Sequence, residues 1–367
     1  MPSAQAGPDL DRLVGTWQES RANPVGEPVP YLTEEVTLET GDPAVSLGCT
    51  LTTPREEGPH PAAMLLTVAG PNDRDQSHFG HRPFFVLADH LTRRGLVILR
   101  CDDRGVGDSS GDVTAVGLDV LAEDAVRGAR YLAQQEAVDP SAVGFIGNSE
   151  GSLVGAKAAL ASDEVGFVVM LGGVGVPGSE LIRERRLADL RRRDVSEEDL
   201  QSRMALFDRL IELVERGRGA GLEAARARDP SLIDKIDEVL DSPNFSGGPL
   251  FPRERRAQLE LLLGPWYHSQ LLSDAPSVLR RIRQPVLALA GSVDRVNLPA
   301  QNLPAIQQAL LEGGNQDHTV ALLPRLNHVF QTAKRGGMEE YGRLKESFSS
   351  LALRTISDWI VLRFAPE

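Results

Sequence analysis

Short apolar runs alternate with longer amphipathic stretches from about residue 30 onward. The short runs have the length and β-branched content of strands, and the longer ones repeat apolar residues with the 3.6-residue period of helices. The predicted strands are 35–39, 46–52, 63–68, 96–100, 143–146, 167–171, 286–290 and 320–323. The predicted helices are 84–94, 119–135, 151–161, 303–311 and 345–364. This alternation predicts an α/β fold with a mostly parallel eight-stranded sheet, whose last six strands are covered by helices on both faces.

Residues 178–276 interrupt the alternation, because they contain charge-rich helical segments at 180–190 and 197–217 but no convincing strand. We interpret them as an inserted helical lid. The predicted organisation is an N-terminal extension at 1–30, a first core part at 31–177, the lid at 178–276 and a second core part at 277–367. The arginine-rich part of the lid is expected to form solvated helix faces rather than an anion site. Its arginines are Arg183, Arg185, Arg186, Arg191, Arg192 and Arg193.

Composition and charge narrow the class of protein. The chain has 367 residues, of which 41% are hydrophobic and 25% charged, which is typical of a folded globular protein. A net charge of -13 disfavours nucleic acid and anionic membrane surfaces as partners. The N-terminus lacks the apolar segment of a signal peptide, and no apolar run reaches the ~20 residues of a membrane span.

The two cysteines, Cys49 and Cys101, lie far apart and form no C-x-x-C pair. The sequence therefore indicates neither a disulfide framework nor a cysteine zinc site. A reducing cytoplasm is the expected location.

The sharpest chemical signal is Gly147-Asn148-Ser149-Glu150-Gly151, which follows one predicted strand and precedes a predicted helix. This is G-x-S-x-G in the strand–turn–helix context of a nucleophile elbow. The turn is so tight that the flanking positions must lack side chains, and the following helix directs its positive end at charge that develops beside the serine. Ser149 is therefore the predicted nucleophile.

A serine hydroxyl needs a base, and the base needs an orienting acid. In this architecture the acid and then the histidine follow the serine along the chain. Asp294 comes directly after the strand at 286–290, and His328 follows the last predicted strand. Both fall at strand C-terminal ends, where open α/β sheets place their sites. The sequence predicts a Ser149–His328–Asp294 triad.

The other candidate bases and acids lie before a strand, within a helix pattern or in the lid: His60, His90, His268, His318, Asp274 and Asp317. His268 stays open as a substrate contact. His78 and His81 have a helical ligand spacing, but no third ligand lies near them, so no metal is expected. The chain also lacks a phosphate loop and a dinucleotide glycine fingerprint, so no cofactor is predicted.

Acyl transfer also requires N–H donors for the oxyanion. The first predicted donor is the backbone of Glu150, and the second comes from residues 68–73, where Pro71 has no N–H to give. Gly70 is the first choice there and Asn72 the second. Phe207, Phe251, Trp266 and Tyr267 are expected to line the substrate pocket from the lid, and Asn72, Trp266 and Tyr267 are the candidate substrate-binding residues.

With these motifs in place, the sequence resembles the α/β-hydrolase superfamily. The stretch Gly-Pro-Asn-Asp-Arg-Asp at 70–75, the loop Cys-Asp-Asp-Arg-Gly-Val-Gly at 101–107 and the elbow are similar to those of bacterial esterases related to serine aminopeptidases and dienelactone hydrolases. The resemblance covers roughly residues 34–365. It implies a carboxylesterase that acts on small-molecule esters with modest acyl groups.

Some features depart from that pattern. Asn148 stands where relatives carry histidine, and the oxyanion loop reads Val68-Ala69-Gly70 instead of a Gly-Ser-Gly type run. Residues 13–17 are interpreted as a remnant of an N-terminal β-domain. Arg104 is expected to pair with a neighbouring carboxylate and to support the site.

Three other functions remain open from the sequence: a peptidase or amide hydrolase, a biosynthetic acyltransferase, lactonase or cyclase, and a non-catalytic binding protein. The same triad serves the first two. The oligomeric state is also open, with a homodimer as one candidate.

Overall fold

The computed structural model describes residues 29–245 and 252–364. Its strands are β1 (Tyr31–Glu39), β2 (Ser46–Pro54), β3 (His60–Leu66), β4 (Val97–Cys101), β5 (Val138–Asn148), β6 (Phe167–Leu171), β7 (Val286–Gly291) and β8 (His318–Leu323). They form an eight-stranded sheet in the order β1-β2-β4-β3-β5-β6-β7-β8. The β1–β2 and β2–β4 pairs are antiparallel, and the remaining pairs are parallel. The predicted mostly parallel eight-stranded sheet is confirmed.

Helices cover both faces of this sheet. The helices in the described part of the chain are α1 (Pro83–Arg93), α2 (Leu118–Ala133), α3 (Glu150–Leu160), α4 (Gly178–Arg192), α5 (Glu197–Gly217), α6 (Leu222–Arg228), α7 (Pro230–Leu240), α8 (Arg255–Leu263), α9 (Pro265–Leu271), α10 (Ala275–Leu279), α11 (Pro299–Glu312), α12 (Met338–Tyr341) and α13 (Ser350–Phe364). Along β3, Ala63 and Leu65 pack towards α1 and α13, whereas Met64 and Leu66 pack towards α2, α3 and α11. Side chains that alternate between two apolar layers explain the continuous apolar run of this strand.

Two predicted strand properties are corrected. β8 lies at the edge of the sheet and is mostly half-buried, with Leu322 54% exposed, because it has a neighbour on one side only. The strand predicted at 63–68 begins earlier and ends at Leu66. The chain leaves the sheet there, and the backbone N–H of Val68 donates to Oε1 of Gln76 instead of to a neighbouring strand.

Seven helices, α4 to α10, lie between β6 and β7, and we call the first six, α4 to α9, the inserted helices. The segments predicted at 180–190 and 197–217 correspond to α4 and α5. Apolar residues of α5 to α9 form a core separate from the two layers on the sheet, with Leu213, Ile236 and Leu263 almost fully buried in it. The inserted helices therefore have a hydrophobic core of their own.

The cysteine prediction is wrong. Cys49 of β2 and Cys101 of β4 are register partners in the antiparallel pair, and a disulfide joins them across a sequence separation of 52. Spacing along the chain gave no sign of this contact, because it arises from the register of two strands. Within the described ranges, no helix is long and apolar enough to cross a membrane. The predicted N-terminal extension up to residue 28, with the segment 13–17, lies outside those ranges, as does Phe251.

Candidate active site

Ser149 occupies a tight turn between β5 and α3, with φ 55° and ψ -112°. A Cβ placed on Gly147 would lie 2.1 Å from the carbonyl oxygen of Gly151, and one on Gly151 would lie 2.3 Å from that of Leu66. Both flanking positions must therefore be glycine, as the motif requires. The left-handed backbone of Ser149 is the strained conformation that exposes an elbow hydroxyl.

His328 and Asp294 meet at the C-terminal edge of the sheet. Nδ1 of His328 lies 2.8 Å from Oδ2 of Asp294. The other carboxylate oxygen accepts hydrogen bonds from the backbone N–H groups of Val296, at 2.7 Å, and Asn297, at 3.0 Å. Asp294, Asn297 and His328 are buried, and Val296 is half-buried. The carboxylate is thus fixed in the orientation that an acid needs to hold an imidazole tautomer.

Asn297 is a site residue that the sequence analysis missed. Its Nδ2 lies 3.3 Å from Oγ of Ser149 and 2.6 Å from the carbonyl oxygen of Gly172, and the residue is only 1% exposed. Its Oδ1 accepts a hydrogen bond of 2.7 Å from Nη2 of Arg185 on α4. The only sequence signal was its position three residues after Asp294 in the same loop.

The loop after β3 contains the predicted second oxyanion donor. Gly70 has φ 97°, and a Cβ there would meet nothing within 4 Å. Among the described residues, no acceptor binds the backbone N–H of Gly70 or of Glu150. Asn72 is engaged within the loop: its backbone N–H donates to Asp103, and its Nδ2 donates to the carbonyls of Val68 and Gly70. These contacts favour Gly70 over Asn72 as the oxyanion donor, because the N–H groups of Asn72 stabilise the loop. A substrate contact by Asn72 stays a prediction.

Asn148 connects separate parts of the site. Its Nδ2 donates to the carbonyl of Leu171 at 2.9 Å and to that of His328 at 3.4 Å. Its Oδ1 accepts from Nε2 of Gln76, whose Oε1 accepts from the backbone N–H of Val68. An asparagine at this position thus links the elbow both to the histidine loop and to the oxyanion loop.

The side chain of Glu150 points away from the solvent towards α9. Its Oε2 accepts hydrogen bonds from Nε1 of Trp266, at 3.0 Å, and from Nε2 of Gln270. Burial raises the pKa of Glu150 to about 8, and the nearby charge of Asp103 adds to this effect, while the Trp266 hydrogen bond opposes it. Burial also raises the pKa of Asp103 to about 7, against hydrogen bonds from Thr67 and Asn72. Two carboxyl groups with raised pKa values, the buried Glu150 and the half-buried Asp103, therefore lie at or near the elbow.

The loop after β4 supports these groups. Arg104 forms a bidentate pair with Asp124, with nitrogen–oxygen distances of 2.7 and 2.9 Å, as expected from the sequence. A Cβ on Gly107 would lie 2.3 Å from Oδ2 of Asp102, so glycine is required there. The loop is packed by ion pairs and close backbone contacts.

The other titratable candidates are used in local structure. His60, His90 and His318 each contact a backbone or hydroxyl oxygen, and Asp274 caps α10. Nε2 of His78 contacts Oδ1 of Asn72. No cluster of three or more metal-ligating side chains occurs in the described part of the chain.

The predicted lid residues lie in different surroundings. Trp266 contacts Glu150, and Tyr267 packs against the core of the inserted helices. Phe207 packs in a small cluster with Leu190 and Met204. Phe207 thus belongs to the packing of the inserted helices, while contacts of Trp266 and Tyr267 with substrate stay predictions.

The arginine-rich helix α4 differs from the prediction. Arg183 pairs with Asp208 at a half-exposed position, as a solvated face requires. Arg186, however, is only 9% exposed, and Nε of Arg185 donates to the carbonyl of Val296 at 2.8 Å, in the loop that follows β7. The expectation that all these arginines lie on solvated faces is wrong, because α4 packs one side against the core.

No protein-family model matches the chain. Esterase EstD of Thermotoga maritima is 28% identical over 135 residues, which are 37% of this chain and 32% of that protein. The chain thus matches about a third of the length of that curated relative.

Two solved structures are similar over most of the chain. The α/β hydrolase GrgF from Penicillium sp. sh18 has a TM-score of 0.54 and 17% identity, covering 91% of this chain and all 100% of that one. The Pyrococcus furiosus esterase Pf2001 has a TM-score of 0.52 and 15% identity, covering 95% of this chain and 97% of that one. The chain has the α/β-hydrolase fold.

Proposed function

We propose that this protein is a serine hydrolase that cleaves carboxylic esters of small to medium acyl groups. The observation that carries the proposal is that Asn297 contacts both the strained elbow serine, Ser149, and the carboxylate of Asp294, whose other oxygen is hydrogen-bonded to His328. The partial similarity to an esterase supports the choice of ester over amide.

In the proposed mechanism, Ser149 attacks the ester carbonyl while His328 takes its proton. Asp294 holds the imidazole, and the backbone N–H groups of Gly70 and Glu150 bind the oxyanion. The alcohol leaves with the proton from His328, and water then repeats the attack on the acyl-enzyme. Asn297 acts as a positioning residue, since its amide donates to the hydroxyl oxygen of Ser149 and its backbone N–H donates to Asp294.

We also propose that the inserted helices act as a lid. Ser149 and His328 are only 6% and 5% exposed, which supports a covering element over the site. The hydrogen bonds of Trp266 and Gln270 to Glu150 fasten α9 to the residue that follows the nucleophile.

The test is turnover of p-nitrophenyl acetate, butyrate and octanoate and of a peptide p-nitroanilide, with fluorophosphonate labelling located by mass spectrometry. We expect label on Ser149, ester turnover, and a loss on the order of 10⁴-fold or more in Ser149→Ala. Ser162→Ala, at the end of α3, is the matched control and should keep activity. Label without ester turnover would favour a specialised acyl transfer or peptidase, and no label would favour a non-catalytic protein.

Location and assembly remain predictions. We retain a cytoplasmic location, absence of nucleic-acid and membrane partners, and a homodimer as one oligomeric candidate. The Cys49–Cys101 disulfide weighs against a reducing compartment, because disulfides persist mainly in oxidising ones. Cell fractionation with thiol alkylation decides this: free thiols in the cytosolic fraction support the location, and a disulfide-bonded protein outside the cytosol contradicts it.

A further inference from the structure

Arg185 brings a positive charge to the catalytic loop. It lies on α4 and donates through Nε to the carbonyl of Val296, at 2.8 Å, and through Nη2 to Oδ1 of Asn297, at 2.7 Å. The amide of Asn297 reaches Oγ of Ser149 at 3.3 Å. With ~2.3 Å across an amide group, Nη2 lies on the order of 8 Å or less from the nucleophile.

This guanidinium has no carboxylate partner. No Asp or Glu oxygen in the described ranges lies within 4 Å of it, and both of its acceptors are neutral amide oxygens. Other enclosed arginines are neutralised: Arg100 pairs with Asp75, and Arg104 pairs with Asp124. Asp294 contributes an attractive charge but forms no ion pair with Arg185. A partly buried charge without a paired carboxylate is costly, so its retention beside a reactive group points to a ligand that supplies one.

One nitrogen of Arg185 is left to bind such a ligand. Nη1 makes no hydrogen bond to any described residue, and it is not among the fully buried polar atoms that lack a partner. Nη1 is therefore not fully buried. Burial lowers the pKa of Arg185, against the charge of Asp294, yet a guanidinium stays protonated in proteins.

We propose that Arg185 binds a carboxylate of the substrate, so that the preferred esters carry an anionic group near the scissile bond. The inference rests on the proposed ester hydrolysis. A near-attack carbonyl lies ~3–3.5 Å from the serine oxygen, and a charge-assisted hydrogen bond adds ~2.8 Å at the other end. Nη1 lies ~2.3 Å from Nη2, so at most ~4 Å remains between the ester carbonyl and the carboxylate, which two carbons span as in a hemisuccinate, and a hemiglutarate tests the upper limit.

The first experiment compares esters of equal chain length. We would measure kcat/KM for p-nitrophenyl butyrate against p-nitrophenyl hemisuccinate, and for the valerate against the hemiglutarate. The wild type should prefer the anionic ester by about 10-fold or more, as one charged hydrogen bond allows. An ester with the carboxylate on the alcohol side tests the other orientation, and preference for that ester would place the anion there.

Variants of Arg185 distinguish binding of the anionic group of the substrate from support of the Asn297 side chain. Arg185→Gln should lower kcat/KM for the anionic ester about 10- to 100-fold more than for p-nitrophenyl butyrate, because any loss of support for Asn297 lowers both rates by the same factor. Arg185→Lys should recover part of the preference. Arg183→Gln removes the same formal charge from the same helix, at a residue paired with Asp208, and should leave the preference unchanged. Equal loss on anionic and neutral esters in Arg185→Gln would overturn the proposal.

A binding measurement keeps the inference testable without turnover. Calorimetric titration with glutarate should show binding to the wild type that weakens about 10-fold or more in Arg185→Gln, while the uncharged diamide glutaramide binds neither protein measurably. If neither ester is hydrolysed but glutarate binds through Arg185, the ester function fails and the anion site stands. Equal glutarate binding to wild type and Arg185→Gln, or no binding, overturns the anion site itself.

Discussion

Glu150 provides a quantitative prediction about pH and stability. Its carboxyl group is buried against α9, accepts hydrogen bonds from Trp266 and Gln270, and lies near Asp103. Burial, together with the Asp103 charge, raises its pKa from 4.5 to about 8. The folded protein therefore holds a proton on Glu150 at neutral pH that the unfolded chain releases.

The sign of the effect follows from that difference. Below the unfolded pKa of 4.5 both states are protonated and Glu150 contributes no penalty. As pH rises towards about 8, the unfolded state loses its proton first, so the free energy of unfolding falls. At ~1.4 kcal/mol per pKa unit, the loss has an upper limit of about 5 kcal/mol. The glutamine in Glu150→Gln cannot ionise, so the variant does not show this loss of stability.

The assay is urea unfolding of wild type and Glu150→Gln at pH 5, 6.5 and 8. The stability of the variant relative to wild type should increase by several kcal/mol from pH 5 to pH 8. Glu198→Gln, at an exposed position on α5, is the control and should follow wild type at every pH. Asp103→Asn should lower the pKa of Glu150 and so reduce the pH dependence. Parallel stability profiles for wild type and Glu150→Gln would refute the reasoning.

Three further predictions concern positioning and stability. Asn297→Ala removes the donor to Oγ of Ser149 and should lower kcat for esters about 10- to 100-fold with a smaller change in KM; equal kcat would exclude a positioning role. Gly151→Ala would place a Cβ 2.3 Å from the carbonyl oxygen of Leu66 and should abolish fluorophosphonate labelling of Ser149, whereas full labelling would show that the elbow tolerates the side chain. Replacing both Cys49 and Cys101 by serine opens a loop with a sequence separation of 52 and should lower the free energy of unfolding by up to about 4 kcal/mol, measured in urea without reductant; an unchanged midpoint would argue against the disulfide.

The order of the helices and strands was predictable from the sequence because hydrophobic periodicity is a local property. A period of two or 3.6 residues reflects which side chains one element buries, and each β–α unit shows it separately. The elbow was also predictable, because the two glycines that its tight turn requires, Gly147 and Gly151, lie within one five-residue motif. Strand ends were less accurate, as at Leu66, because a strand ends where its neighbours stop pairing.

Contacts between distant segments required the tertiary structure. Asn148 was noted only as a departure from relatives, yet it joins loops that are distant in the chain. Cys49 and Cys101 meet because β2 and β4 pair in one register, which no spacing rule encodes. Likewise, the sequence pattern predicts Arg185 to be part of a solvated arginine cluster, whereas the packing of α4 brings it into contact with Asn297.

By itself, then, the sequence determined the α/β architecture and the candidate nucleophile, acid and base, because strand ends and a tight turn place those residues through local rules. The tertiary structure decided what surrounds them: the amide of Asn297, the enclosed carboxyl group of Glu150 and the unpaired guanidinium of Arg185. The physical reason is that burial and charge pairing depend on which surfaces come into contact. The inserted helices contact the edge of the sheet through residues such as Arg185, whose local sequence pattern is the same as that of a solvated helix.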